Sequence, residues 1–260
     1  MPPRPSRVLA ALEVRALGEM GSFAWSAPAL AAVLPRGEGR PVLVLPGFLA
    51  DDSSTRAMRR LLRQLGHQVH GWRLGRNIGP SNEIIDGMVE RVDALHRAHG
   101  TIDIVGWSLG GIYAREIARL APHVVRQVIT MGSPFQTTGS HESNVSGAFR
   151  ALQNRHDPHF EEHRVPSWAR DPIPVWTTSI YTKSDGIVHW SQCLNVHHPH
   201  TENIEVRGSH CGLGFNPAAM WIIADRLAQP SDRWQRFKPA GPLRYLFPRG
   251  TGFDVGAVAA

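Results

Sequence analysis

Short apolar runs alternate with longer stretches at helical spacing along most of this chain. Val42-Leu-Val-Leu45, bounded by Pro41 and Pro46, reads as a strand buried on both faces, because such a strand is continuously apolar. A helix follows over Ser53–Leu65, with Gly66 as its stop signal. Then come a strand at His67–Arg73, a helix at Asn82–His99, a strand at Thr101–Val105, a helix at Gly110–Leu120 and a strand at Val124–Met131. From Phe135 to Pro172 the rhythm lapses into Ser, Gly, His, Asn and Pro, with one short helix over Val145–Leu152. It resumes with strands at Pro174–Tyr181 and Asn203–Arg207 and a helix at Pro217–Leu227. The first forty residues read as helical in two pieces, Val8–Leu17 and Pro28–Leu34.

Strands that alternate with helices predict an α/β fold, a mostly parallel sheet of about six strands with helices on both faces. One domain over residues 1–260 is expected. It has a helical segment at 1–40, a lid or cap insertion at 135–172, and a tail over 230–260 that wraps the surface.

Composition narrows the class. Of 260 residues 42% are hydrophobic and 19% charged, which excludes a disordered chain, and two cysteines exclude a disulfide-built scaffold. The formal charge of +6 invites a nucleic-acid reading. The basic residues do not cluster into a stripe, however, and the densest run, Arg56 to Arg63, has the spacing of a solvated helix face. No nucleic-acid partner is expected, and weak attraction to an anionic membrane surface is the most the charge supports. Arg4 and Arg7 ahead of Val8–Leu12 resemble the start of a secretory leader, but Glu13 and Arg15 interrupt the apolar stretch. An amphipathic helix is the expectation there, and a cytoplasmic location with it.

The chemistry starts from Gly106-Trp-Ser108-Leu-Gly110, placed between a strand and a helix. A G-x-S-x-G at that junction makes a tight turn that lifts the serine hydroxyl clear of the sheet. The competing reading is a helix N-cap serine. A serine hydroxyl attacks only when a base takes its proton, so a histidine and an orienting carboxylate are needed. In the order Ser, acid, His, each after a later strand, Asp185 and His210 fit. Asp103 lies inside a strand, Asp171 precedes one, and His189 and His197-His-Pro-His200 come before the last strand, so all fit less well. The developing oxyanion needs backbone donors, for which the amides of Leu109 and of Phe48, in Pro46-Gly-Phe48, are the candidates.

Over residues 40–228 these motifs resemble the α/β-hydrolase superfamily, and within it bacterial esterases and lipases. The resemblance implies the α/β-hydrolase fold and cleavage of a small-molecule or lipid carboxylic ester without cofactor or metal. Ser108, Asp185 and His210 would be its catalytic triad, and Phe48 and Leu109 its oxyanion hole. Two departures stand out: Pro46 replaces the histidine that many lipases carry before this glycine, and the helical start leaves no room for the family's first two strands. An acyltransferase or thioesterase would use the same triad, and a ligand receptor on the same scaffold is a further reading. Cys193 follows the acid loop and Cys211 adjoins His210, so a disulfide and two free thiols are both compatible with the sequence. Pairing would favour a secreted or envelope location. The histidine group at 197–200 lacks zinc-site spacing. Trp107, Trp168, Trp176 and Trp190 are candidates for core packing or an acyl pocket, with Trp107 expected beneath the serine turn.

Overall fold

A computed structural model describes residues 4–136, 143–152, 155, 171–230, 233–239 and 241–248. Most of the expected lid lies outside the described residues, as do His156, His159, His163 and Trp168. Six strands, β1 (Pro41–Leu45), β2 (Gln68–Gly71), β3 (Ile102–Trp107), β4 (Val125–Met131), β5 (Trp176–Tyr181) and β6 (Thr201–Glu205), form one sheet in the order 2-1-3-4-5-6. Every neighbouring pair is parallel. A parallel pair needs a crossover; helices supply those from β1 to β4 and cover the sheet, while a loop with a 3-10 turn at Trp190–Cys193 joins β5 to β6.

The helices are α1 (Arg7–Ala11), α2 (Ala16–Val33), α3 (Arg56–Gln64), α4 (Asn82–His99), α5 (Leu109–Leu120), α6 (Ser146–Ala151) and α7 (Pro217–Ala228). Val42 and Val44 of β1 join Phe23, Leu30, Met58, Leu61, Ile222 and Ile223, so α2, α3 and α7 cover one face. Leu43 and Leu45 join Ile84, Met88, Val92, Leu95 and Ala114, so α4 and α5 cover the other. Burial on both faces explains why β1 reads as unbroken hydrophobicity. Helix α4 begins where Ser81 Oγ accepts from Ile84 N and ends at Gly100, whose φ of 80° suits a residue without Cβ. Pro28 does not divide the N-terminal helix: α2 runs through it. In the tail, Phe237 and Phe247 are buried against Trp221 at centroid distances of 5.5 and 5.7 Å.

The start of the chain departs from its amphipathic expectation. Val8, Val14 and Leu17 are each about two-thirds exposed, and no residue of α1 or of the 3-10 turn at Leu12–Arg15 is buried. The charged Glu13, Arg15 and Glu19 turn inward instead, onto loops whose backbone amides and carbonyls need partners. Among the described residues no helix is long and apolar enough to cross a membrane.

One buried group sets an acid limit on the fold. His67, at 4% exposure, packs its ring on Gly37, and neither ring nitrogen has a hydrogen-bond partner among the described residues. Burial first, then Arg126 and Arg40, lower its pKa from 6.5 to about 4. Between those values the unfolded chain binds a proton that the folded chain does not. Stability is therefore full above pH 6.5 and declines as the pH falls toward 4. Removing the titration in His67→Leu is expected to flatten that decline by on the order of 1–2 kcal/mol, allowing for residual solvation. Urea melts from pH 7 to pH 4 check this, and an unchanged acid slope in the variant would refute it. His70, also held near pKa 4 by burial, keeps part of the slope in both proteins.

Candidate active site

The carboxyl ends of β1, β3, β5 and β6 bring together the loops singled out by sequence. Ser108 follows β3 and precedes α5, with φ 52° and ψ −120°, a region that costs a non-glycine residue about 1–3 kcal/mol. Its side chain makes no capping bond to α5, which removes the N-cap reading. Two glycines make the turn feasible. A Cβ on Gly106 would stand 2.5 Å from Gly110 O, and one on Gly110 2.5 Å from Leu45 O and 2.7 Å from Pro46 O. Both sites oppose backbone, which cannot move aside.

Asp185, 3% exposed, sits just after β5. Its Oδ1 accepts from Ile187 N and Val188 N at 2.8 Å each, which fixes the carboxylate plane. Its Oδ2 lies 2.6 Å from His210 Nδ1. His210, 5% exposed, follows β6. Burial lowers its pKa, but the charge and hydrogen bond of Asp185, with Glu13 behind them, outweigh burial and raise it above 6.5. Gly132 links this pair to the serine. Ser108 N donates to Met131 O at 2.8 Å, and a Cβ on the next residue, Gly132, would stand 3.0 Å from His210 Nδ1. Serine and imidazole therefore flank one turn at the end of β4.

Phe48 and Leu109 lie on the loop after β1 and at the first turn of α5. Neither amide has a backbone acceptor among the described residues. The β1 loop is held by Asn77, whose Nδ2 donates to Pro46 O at 2.9 Å and whose carbonyl accepts from Leu49 N at 2.7 Å. Leu49 has φ 61°, so the loop bends sharply there. A Cβ on Gly47 would meet Ser108 Cβ at 3.2 Å, so glycine lets this loop pass close to the serine. Phe149 of α6 packs on the Phe48 ring at 5.3 Å.

The alternatives fall elsewhere. Asp103 is buried in a two-pronged bond with Arg126, at 2.7 and 2.6 Å, at the opposite end of β3. Burial raises its pKa against that partner. His189 Nδ1 bonds Ser191 Oγ at 2.8 Å, and Asp171 offers its carbonyl to Arg115. A Cys193–Cys211 disulfide is absent and both thiols are free. Cys193 is enclosed with Tyr181 and Val188, whereas Cys211 is exposed and its amide is bound to Glu13, so the two face different surroundings. Among the described residues no group of His, Cys, Asp or Glu is placed to hold a metal, and His200 packs on Trp176 at 4.1 Å. Trp176 opens β5 at its amino end, opposite the carboxyl end that faces the serine, and stacks on Trp234 at 4.7 Å. Trp190 stacks on Tyr181 at 5.9 Å.

Sequence reading misses the residues that hold the site. Trp107 is buried beneath the serine turn as expected, but its indole also donates to His210 O at 3.2 Å. Glu13, Arg15 and Glu19 reach the loops of Asp185 and His210 from residues remote in sequence, and nothing in their local pattern signals it.

No protein-family model matches the sequence, and no curated protein matches it either. Solved structures do. Lipase B of Aspergillus fumigatus superposes with a TM-score of 0.56 at 18% identity, covering 77% of this chain, which spans 57% of that one. A structure titled for LipS and LipT, two metagenome-derived lipolytic enzymes, gives 0.55 at 13% identity, covering 75% of this chain and 94% of that one. MGS-MChE2, an alpha/beta hydrolase from a sediment metagenome of the Mar Chica lagoon, gives 0.51 at 15%, covering 73% and 90%. With its parallel six-stranded sheet, its helices on both faces and its serine at the β3–α5 turn, the chain has the α/β-hydrolase fold.

Proposed function

We propose that this chain is a serine hydrolase that cleaves carboxylic esters. The observation that carries the reading is the 2.6 Å contact of His210 Nδ1 with Asp185 Oδ2, beside a strained serine at a strand-to-helix turn. Asp185 holds the Nδ1–H tautomer, leaving Nε2 free to take the proton of Ser108 as its Oγ attacks the ester carbonyl. The amides of Phe48 and Leu109 receive the negative charge that grows on the carbonyl oxygen. His210 then protonates the departing alcohol, and the acyl group stays on Ser108 until water, deprotonated by the same imidazole, releases it as the acid. The lipase and lipolytic enzymes of like fold favour an ester over other acyl substrates.

The test is hydrolysis of p-nitrophenyl esters from acetate to palmitate, together with labelling by a fluorophosphonate. Turnover is expected, with the label on Ser108. A folded protein that neither turns over any ester nor takes the label would overturn the reading.

A further inference from the structure

Both proposed catalytic loops are tied to one short stretch near the start of the chain. Glu13 Oε1 accepts from Gly186 N at 2.8 Å and from His210 N at 3.0 Å, and its Oε2 accepts from Cys211 N at 2.8 Å. One carboxylate therefore joins the residue after Asp185 to His210 itself. Two turns along, Glu19 accepts from Ser209 N at 2.9 Å and from Ser209 Oγ at 2.6 Å. Arg15, between them, donates to Ser184 O at 2.6 Å and to Gly208 O at 3.0 Å, the residues before Asp185 and two before His210. Packing leaves no slack. The backbone of Leu9 and Ala10 fills the space a Cβ on Gly186 would need, and the Glu19 carboxylate fills that of Gly212.

We propose that Glu13 is a positioning residue for the reaction, holding the acid loop and the base loop at a fixed separation, with Arg15 and Glu19 bracing the same loops. The proposal rests on the triad reading above. A buried Asp–His contact has catalytic value only if the imidazole also faces the serine, and a displacement of about 1 Å can cost about 10²-fold in rate. The Asp185 carboxylate is oriented by its own loop, through Ile187 N and Val188 N. The His210 loop is held at its carbonyls, by Thr182 Oγ1 and Ser184 Oγ at Gly208 O and by Leu213 N and Trp107 at His210 O. The backbone amides of His210 and Cys211, by contrast, both donate to Glu13, so that carboxylate fixes the segment bearing the imidazole. The charged groups that face this imidazole and its loop are Asp185, Glu13, Glu19 and Arg15. Of these, Glu13 as well as Asp185 raises the His210 pKa.

The experiment compares Glu13→Ala, Glu13→Gln and, as a control, Glu38→Gln, whose parent carboxylate makes an exposed pair with Arg40. Each is assayed for kcat, KM and the pH dependence of kcat/KM on a p-nitrophenyl ester. Glu13→Ala is expected to lose about 10²-fold in kcat with KM within about twofold of wild type. Glu13→Gln keeps one acceptor oxygen for Gly186 and His210 but turns an NH2 toward Cys211 N, so it recovers part of kcat. In both, loss of the charge moves the acid limb to lower pH by about half a unit, a shift that loss of stability alone would not produce. Glu38→Gln changes neither. Wild-type kcat and an unmoved acid limb in both folded Glu13 variants overturn the proposal. If Ser108→Ala is as active as wild type, it is the triad reading that has failed. Amide hydrogen exchange in Glu13→Gln then decides the positioning independently of turnover: faster exchange at Gly212 and Leu213, whose amides bond within the His210 loop and not to Glu13, sustains it, and wild-type exchange there overturns it.

Discussion

Ser108→Ala is expected to lower kcat for p-nitrophenyl ester hydrolysis by about 10⁶-fold, the scale set when a triad loses its nucleophile, while Tm stays within about 2 °C of wild type. The two halves have separate causes. Activity should disappear because in the proposed reaction Oγ is the atom that bonds to the acyl carbon, and no neighbouring hydroxyl shares its turn. Stability persists because Oγ makes no cap for α5 and because alanine keeps the Cβ, so the strain at φ 52° is neither added nor relieved. Ser108→Gly separates these effects further: it is equally inactive but escapes the left-handed penalty, and should melt above Ser108→Ala. Kinetics and thermal melts of the three proteins decide it. Turnover by Ser108→Ala within tenfold of wild type would exclude Ser108 as the nucleophile.

Asp185→Asn is the second large effect, a loss of about 10⁴-fold in kcat with the fold retained. The substitution preserves shape. Its amide oxygen can still accept from Ile187 N and Val188 N, where Oδ1 now does at 2.8 Å. That arrangement turns the NH2 toward His210 Nδ1, so Nδ1 must become an acceptor and the imidazole proton moves to Nε2. A base protonated at Nε2 cannot take the serine proton. Loss of the carboxylate also removes the largest influence raising the His210 pKa, so the residual activity should extend to lower pH. Rates measured from pH 5 to pH 9 test both effects, and near wild-type kcat in the Asp185→Asn protein would remove Asp185 from the mechanism.

What the sequence made legible is what local physics governs. Strand β1 stood out because it is buried on both faces and so carries an unbroken apolar run, and the other strands stood out as short segments between helical stretches. Helix α4 stood out to the residue because Ser81 and Gly100 cap its ends. The serine turn needed two glycines at fixed spacing, and the facing backbone explains that requirement. The supports of the site were hidden because they are non-local. In sequence Glu13 and Arg15 read only as charges that spoil an apolar stretch, whereas in the fold those charges face inward and the apolar Val8, Val14 and Leu17 face out. The cysteines mislead for a related reason. Cys193 and Cys211 lie near the loops of Asp185 and His210 in sequence, but one thiol is sealed behind Tyr181 while the other is exposed.

The inward charges also bear on how the molecule comes together. Glu13 is 197 residues from His210, and Arg15 is 193 from Gly208. Separations this long are costly to close early, so contacts of this kind form late. During synthesis, residues 13–19 leave the ribosome long before the loops they bind exist. Strands β1–β4, with α3, α4 and α5, can assemble in that interval without them. The loops bearing Asp185 and His210 gain their braces only when residues 13–19 meet a segment made much later, so the proposed triad is set in place after the sheet.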